Sequence, residues 1–280
     1  MRVALTVALV CALGCSGGSK HDPVADAGAS LSRVQRGTMH LQLSLAAGSE
    51  PTAQVGFAMD GTFDLAPAGA SLPAADVTTF NLGTPKDPPV HFVSTAHDAF
   101  IVRGDVGYQL TPAQLAPLTR SSSGPNATTG LDLRGWAIDP TPQPSTTTGA
   151  GEPVDRVTGR VDPVAALNGI VDLAGQMGGS PDPALRIAPA DADRVRAATQ
   201  SSSLEVLTGR DDHLLRSLTV HVEFASPTAA GPTTGGAVMQ AVTRLGHVSL
   251  DIQLRLDHPN VPVLISPPAT VRPISELPTS

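Results

Sequence analysis

Aromatic residues are scarce in this chain, 3% of 280 residues with one Trp and one Tyr. That leaves little material for base-stacking platforms or aromatic cages. Cysteine is scarcer still: Cys11 and Cys15 are the only two, both near the N terminus. Everything beyond them lacks disulfides and thiolate chemistry. Charge is thin, 15% of residues against about a quarter in ordinary domains. Its balance is acidic, −7 at neutral pH, and only Lys20 and Lys86 are lysines. Such a surface does not neutralise phosphates, so nucleic acid is excluded as a partner. The chain also lacks a P-loop, a G-x-G-x-x-G, an H-E-x-x-H and any His pair at i, i+4. It reads as non-enzymatic, with no catalytic residue, no cofactor and no metal site.

The first residues carry an address. After Met1-Arg2, Val3 to Leu13 is apolar apart from Thr6. Eleven helical residues span about 16 Å, too short for a hydrocarbon core of about 30 Å. This is the apolar region of a signal peptide. Ala12-Leu13-Gly14-Cys15 follows, then Ser16-Gly17-Gly18-Ser19. This segment resembles the lipobox of bacterial lipoproteins, with Ala12 where Leu is usual. The resemblance implies that Cys15 is the lipidation site and that the preceding peptide is removed. The stretch Gly14 to Gly18 also fits G-x-S-x-G, but it straddles a cleavage site, not a strand–helix elbow. The expected organisation is a lipoprotein signal peptide over 1–14 and a flexible tether over 15–30. A single domain over 31–270 and a C-terminal tail over 271–280 follow.

Period-two alternation dominates the rest. Met39, Leu41, Leu43 and Leu45 alternate with polar residues, as do Val55, Phe57, Met59, Phe63 and Leu65. Leu218, Val220, Val222 and Phe224 repeat the pattern. So does a long run from Val238 to Leu256, with Gly246 placed for a bend. Strands with one apolar and one wet face belong to antiparallel sheets. Shorter strands are expected near 76–82, 90–95, 98–103, 105–110, 155–161 and 203–209. Helices are few: one over 163–176, capped by Asp162 with Pro163 at its first position, and a polar one over 190–199. Residues 140–151 and 226–236, rich in Pro, Thr and Gly, read as loops. The fold class is α+β, with a wide antiparallel sheet that must curl. One or two helices do not cover so much apolar sheet, which points to an apolar cavity.

Together with the lipobox, three further stretches resemble one family. They are Glu152 to Asp162 (EPVDRVTGRVD), Leu204 to Leu218 (LEVLTGRDDHLLRSL) and Asn260 to Pro268 (NVPVLISPP). With the strand Gly61 to Leu65, they are similar to LppX/LprG-type lipoproteins, within the broader LolA-like carriers. Arg156 stands where that pattern has a Gly, and 141–151 reads as an insertion. The resemblance implies a strongly curved antiparallel half-barrel around one or two helices. Its cavity would take acyl chains of a lipid or glycolipid, palmitate-like in length. It further implies a cell-envelope protein anchored by lipid on the extracytoplasmic side of a membrane. An envelope transporter would be a partner.

The function expected is lipid binding and carriage across the envelope. The candidate lining is Val55, Phe57, Met59, Phe63, Val220, Val222, Phe224, Leu250, Ile252 and Leu254, with Leu167, Ile170 and Val171 from the helix. The alternative is a lipid-sensing or structural envelope lipoprotein that acts through a protein partner. Asp211-Asp212-His213, between two strands, reads as a charged turn and not as metal ligands.

Overall fold

A computed structural model describes residues 22–47, 54–65, 71–82, 89–116, 131–149, 151–176, 186–225 and 246–278. Six strands follow one another as neighbours: β1 (Arg36–Ala47), β2 (Gln54–Asp64), β3 (Ala74–Leu82), β4 (Val90–Thr95), β5 (Ala99–Arg103) and β6 (Val106–Gln109). Five more do the same: β7 (Ala137–Thr147), β8 (Pro153–Val161), β9 (Thr199–Gly209), β10 (Leu215–Ala225) and β11 (His247–Asp257). Pairing of β11 with β1 joins the two meanders into one sheet. β12 (Thr270–Pro273) adds to β6, giving twelve strands in the order β12-β6-β5-β4-β3-β2-β1-β11-β10-β9-β8-β7. Each of these pairings is antiparallel except β12 with β6. An open twisted sheet of this width curls, so the fold is the expected curved antiparallel half-barrel.

Alternation sets the two faces. Leu218, Val220, Val222 and Phe224 of β10 stand opposite Leu254, Ile252, Leu250 and Val248 of β11. These continue into Leu41, Leu43 and Leu45 of β1, and then into Met59, Phe57 and Val55 of β2. One apolar stripe thus runs across the inner face. A one-residue slip in any pairing would turn a strand's apolar set to water, so burial itself holds this register.

Among the described residues, α1 (Pro23–Ser30), α2 (Leu133–Trp136), α3 (Pro163–Gln176) and α4 (Pro189–Ala198) accompany the sheet, and residues 112–116 are also helical. α3 begins as predicted: Asp162 Oδ1 accepts from the N–H groups of Val164 (2.9 Å) and Ala165 (3.3 Å). Over residues 22–30, α1 stands where a flexible tether was expected; residues 15–21 lie outside the described residues. Asp22 caps α1, accepting from Val24 and Ala25, and Pro23 opens its first turn. Val24 and Ala27 are 1% and 0% exposed in the main core. The small residues taken for a linker are what lets α1 pack closely: a Cβ on Gly28 would collide with the Leu131 carbonyl.

Two other expectations are corrected. Residues 140–151 are not a loop, because 137–147 form β7. Its prolines are tolerated at the sheet edge, where only one side of the strand pairs, and register shifts take Pro140 and Pro144 out of the ladder. The 271–280 tail contains β12 and a 3-10 turn over Ile274–Glu276. The long strand expected from Val238 is described from His247, just after Gly246, whose φ is 77°. Its earlier part, and the loop expected over 226–236, lie outside the described residues.

Candidate functional site

The helices do not cover the inner face evenly. Over β8 to β11, sheet residues and helix residues form one cluster. Leu204, Val206, Leu218, Val220, Val222, Phe224 and Leu250 are each 2% exposed or less. Val24, Ala27, Leu133, Trp136, Val164, Ala166, Val195 and Ala198 pack with them from the helical side. Across β1 and β2 the same stripe is only half covered. Met39, Leu41, Leu43, Leu45 and Phe63 are partly buried at the margin of the cluster, facing it together with Leu167 and Ile170 of α3. Phe57 is 38% exposed. β1 presents its side chains along about 20 Å, six residue steps of roughly 3.3 Å from Met39 to Leu45.

The expected lining residues therefore fall into two groups. Val220, Val222, Phe224, Leu250, Ile252 and Leu254 are buried at 0–8% in the packed cluster. Phe57 is exposed, and Met59, Phe63, Leu167, Ile170 and Val171 are partly buried. Val55 sits on β2 opposite Leu45, with its side chain outside the described residues, and Cys15 lies outside them too. The four β1 residues were missing from the expected lining. Their alternation was plain in the sequence, but only the pairing of β1 between β2 and β11 puts them in the middle of the stripe.

The family-like stretches turn out to be clasps. Arg216, 7% exposed at its side chain, donates to both carboxylate oxygens of Glu152, to Asp212 (2.8 Å) and to the Leu214 carbonyl (3.1 Å). This joins the entry of β8 to the β9–β10 turn. Burial pushes the Asp212 carboxyl upward, but hydrogen bonds from Arg216 and the Leu214 N–H outweigh it, so it titrates below the ordinary Asp range. A carboxylate committed in this way has a structural role. Arg156, at the position where the pattern has Gly, donates to Glu205 (2.7 Å).

The C-terminal stretch is a strap. The Asn260 side chain accepts from the Gln35 N–H (2.8 Å) and donates to the Arg33 carbonyl (3.1 Å). Ile265 packs on Val93, Phe100 and Val102, and Pro268 lies against Gly107. The chain then enters β12.

The outer face is wet and carries cross-strand His–carboxylate pairs. His40 reaches Asp60 (2.6 Å) and Asp257 (3.2 Å), His91 reaches Asp76 (2.7 Å), and His221 reaches Asp251 (2.6 Å) and Glu223 (3.4 Å). A polar depression of about 200 Å³ lies there, lined by residues that include His40, Asp60, Thr219, Gln253 and Arg255. Among the described residues, no group of three or more His, Cys, Asp or Glu is arranged to hold a metal ion. Among them, too, no helix is long and apolar enough to cross a membrane.

Fold and face together define an open antiparallel half-barrel whose apolar inner surface is sealed on one side and half open on the other. The crystal structure of LprF from Mycobacterium bovis is similar over 89% of this chain and 98% of that one. Identity is 16% and the TM-score 0.43. That of a LolA superfamily protein from Nitrosomonas europaea is similar over 86% of this chain and 93% of that one, at 7% identity and a TM-score of 0.21. No family model and no curated protein matches the chain.

Proposed function

We propose that this chain is a membrane-anchored lipoprotein that binds the acyl chains of a lipid or glycolipid and carries it across the cell envelope. One observation carries the reading: the apolar stripe of the inner face continues past the buried cluster onto β1 and β2, where Leu41, Leu43, Leu45 and Phe63 are only partly buried. A folded chain does not keep such a surface half open without a use for it. Transferring a sixteen-carbon chain from water to an apolar wall gains about 12 kcal/mol, at roughly 0.8 kcal/mol per methylene. The absence of recognised catalytic motifs in the sequence and the family-like stretches agree with a carrier. The same acyl chemistry requires no cofactor from the protein. Lipidation of Cys15 would hold the carrier at the extracytoplasmic surface.

The test is the lipid load. Native mass spectrometry of the purified chain should find bound lipid. Leu43→Trp, which adds bulk in the centre of the open stripe, should lower the bound lipid per protein by about half or more while circular dichroism stays unchanged. An unchanged load in a folded Leu43→Trp chain would remove this face as the binding site.

A further inference from the structure

The register carries the inner-face pattern beyond β2. Met39 of β1 pairs with Gly61 of β2, Gly61 with Val77 of β3, and Val77 with Phe92 of β4. Phe92 then pairs with Ile101 of β5, Ile101 with Tyr108 of β6, and Tyr108 with Arg272 of β12. Partners in a ladder share a face. One row therefore crosses the sheet from Met39, at the margin of the buried cluster, to Arg272 on the edge strand. Val77, Phe92 and Ile101 are partly buried and belong to neither packed cluster. On the other face of β4 and β5, Val93, Phe100 and Val102 are buried with Ile265 packed on them. From Met39 to Tyr108 the row takes five strand spacings, about 24 Å in steps of 4.8 Å. That exceeds the roughly 15 Å of one leaflet, half of a hydrocarbon core, so an acyl chain fits along it.

Charge is sorted across the same strands. The register sets Asp60, Asp64 and Asp76 on the outer face, with His40 and His91. Among the described residues of β1 to β6 and β12, the inner face holds no acidic residue. Its charges are Arg103, which pairs with Val106, and Arg272. In a chain of net charge −7, this half of the inner face is positive. Arg103 donates to the Pro89 carbonyl (2.7 Å). Arg272, 55% exposed at its side chain, meets Glu276 at 3.7 Å, a long and solvated pair that a closer anion outcompetes. Beside it, Tyr108 is 6% exposed and brings a hydroxyl donor to the end of an apolar row.

We infer that the ligand is an anionic lipid whose acyl chain lies along this row, tail toward Met39, with its phosphate or carboxylate on Arg272 beside Tyr108 at the sheet edge. The inference rests on the carrier reading above and names the class of its ligand and the residue that reads the headgroup. A tail laid in the row leaves water, while the sheet edge keeps the charged group in it. An amphiphile is held in this way without the cost of burying its charge.

Binding to the purified, delipidated full chain tests it with matched probes: palmitate against hexadecanol, and dipalmitoyl phosphatidic acid against dipalmitoylglycerol. Within each pair the tails are the same and the headgroup charge differs. The anionic member should bind about tenfold more tightly, the scale of one charge-assisted hydrogen bond. Arg272→Gln should erase that preference by weakening the anionic member alone, and Arg272→Lys should keep part of it. Ile101→Trp, which adds bulk to the row, should weaken every probe by about tenfold with circular dichroism unchanged. A preference in the palmitate pair alone supports a fatty acid as the ligand, and one in the phosphatidic acid pair alone supports a phospholipid. No preference in either pair, a preference that survives Arg272→Gln, or undiminished binding by a folded Ile101→Trp chain would overturn the inference. Because Arg272 is exposed, its variants settle the headgroup contact even if Ile101→Trp does not fold. Failure of the carrier reading shows separately, as wild-type protein that binds none of the probes.

Discussion

At the scale of single residues, this protein spends its polar groups on holding strands together. Arg216 is the clearest case. A guanidinium taken almost wholly out of water needs several fixed acceptors, and Glu152, Asp212 and the Leu214 carbonyl supply them. The Asp-Asp-His sequence that resembles a metal site is therefore the corner of a turn. His221 makes a titratable version of the same device. Its hydrogen bond to Asp251 raises the imidazole above its ordinary value, against a smaller opposing effect of burial, with Glu223 adding to the rise. A raised folded-state value means that this contribution is complete below about pH 6.5, the usual imidazole value. It is lost as pH rises through the higher folded value. His221→Gln should therefore cost more stability at pH 6 than at pH 9 in urea titrations, and the gap should narrow in high salt. A pH-independent difference would show that His221 acts by packing alone.

At the scale of elements, sequence signals and tertiary context divide the work. α3 was legible because Asp162, Pro163 and a 3.6-residue apolar stripe agree. α1 was not, because Ala, Gly and Ser in VADAGAS carry no periodicity strong enough to separate a packed helix from a linker; its burial against α2 decides the matter. β7 was missed for the converse reason. Proline signals a loop wherever a strand needs two hydrogen-bonded edges, and β7 needs only one. Close approach also sets the helical layer. Gly169 of α3 faces the Trp136 ring at a distance that leaves no room for a Cβ. Gly169→Ala should destabilise by about 1–3 kcal/mol through forced movement of Trp136, seen as a lower unfolding midpoint with a changed near-ultraviolet spectrum of the single Trp. Without that loss, α3 and α2 would not be in the contact described.

At the scale of the whole molecule, two meanders meet at β1 and β11, and β12 pairs the chain end with β6. The Asn260 clasp and the Ile265 strap then tie the chain end across the outer face to β6. On the proposed reading, the membrane link falls to Cys15 at the N terminus. Cys15→Ser should move the protein from the membrane fraction to the soluble extracytoplasmic fraction, or leave an unprocessed precursor. Unchanged fractionation in this variant would remove Cys15 as the anchor.

What the amino-acid order determined by itself was local and periodic. It specified which strands have one apolar face and where α3 begins, and it places no cysteine beyond residue 15. Alternation needs no partner to be read, because side chains in a strand point to opposite sides whatever lies next to them. The tertiary structure alone decided which apolar faces are sealed and which stay open. Val222 and Leu43 look alike in sequence, each an aliphatic residue in a clean alternation. One ends at 0% exposure among helix side chains, and the other stays at the margin. The difference comes from where the helices land on a curled sheet, and that is a property of long-range packing.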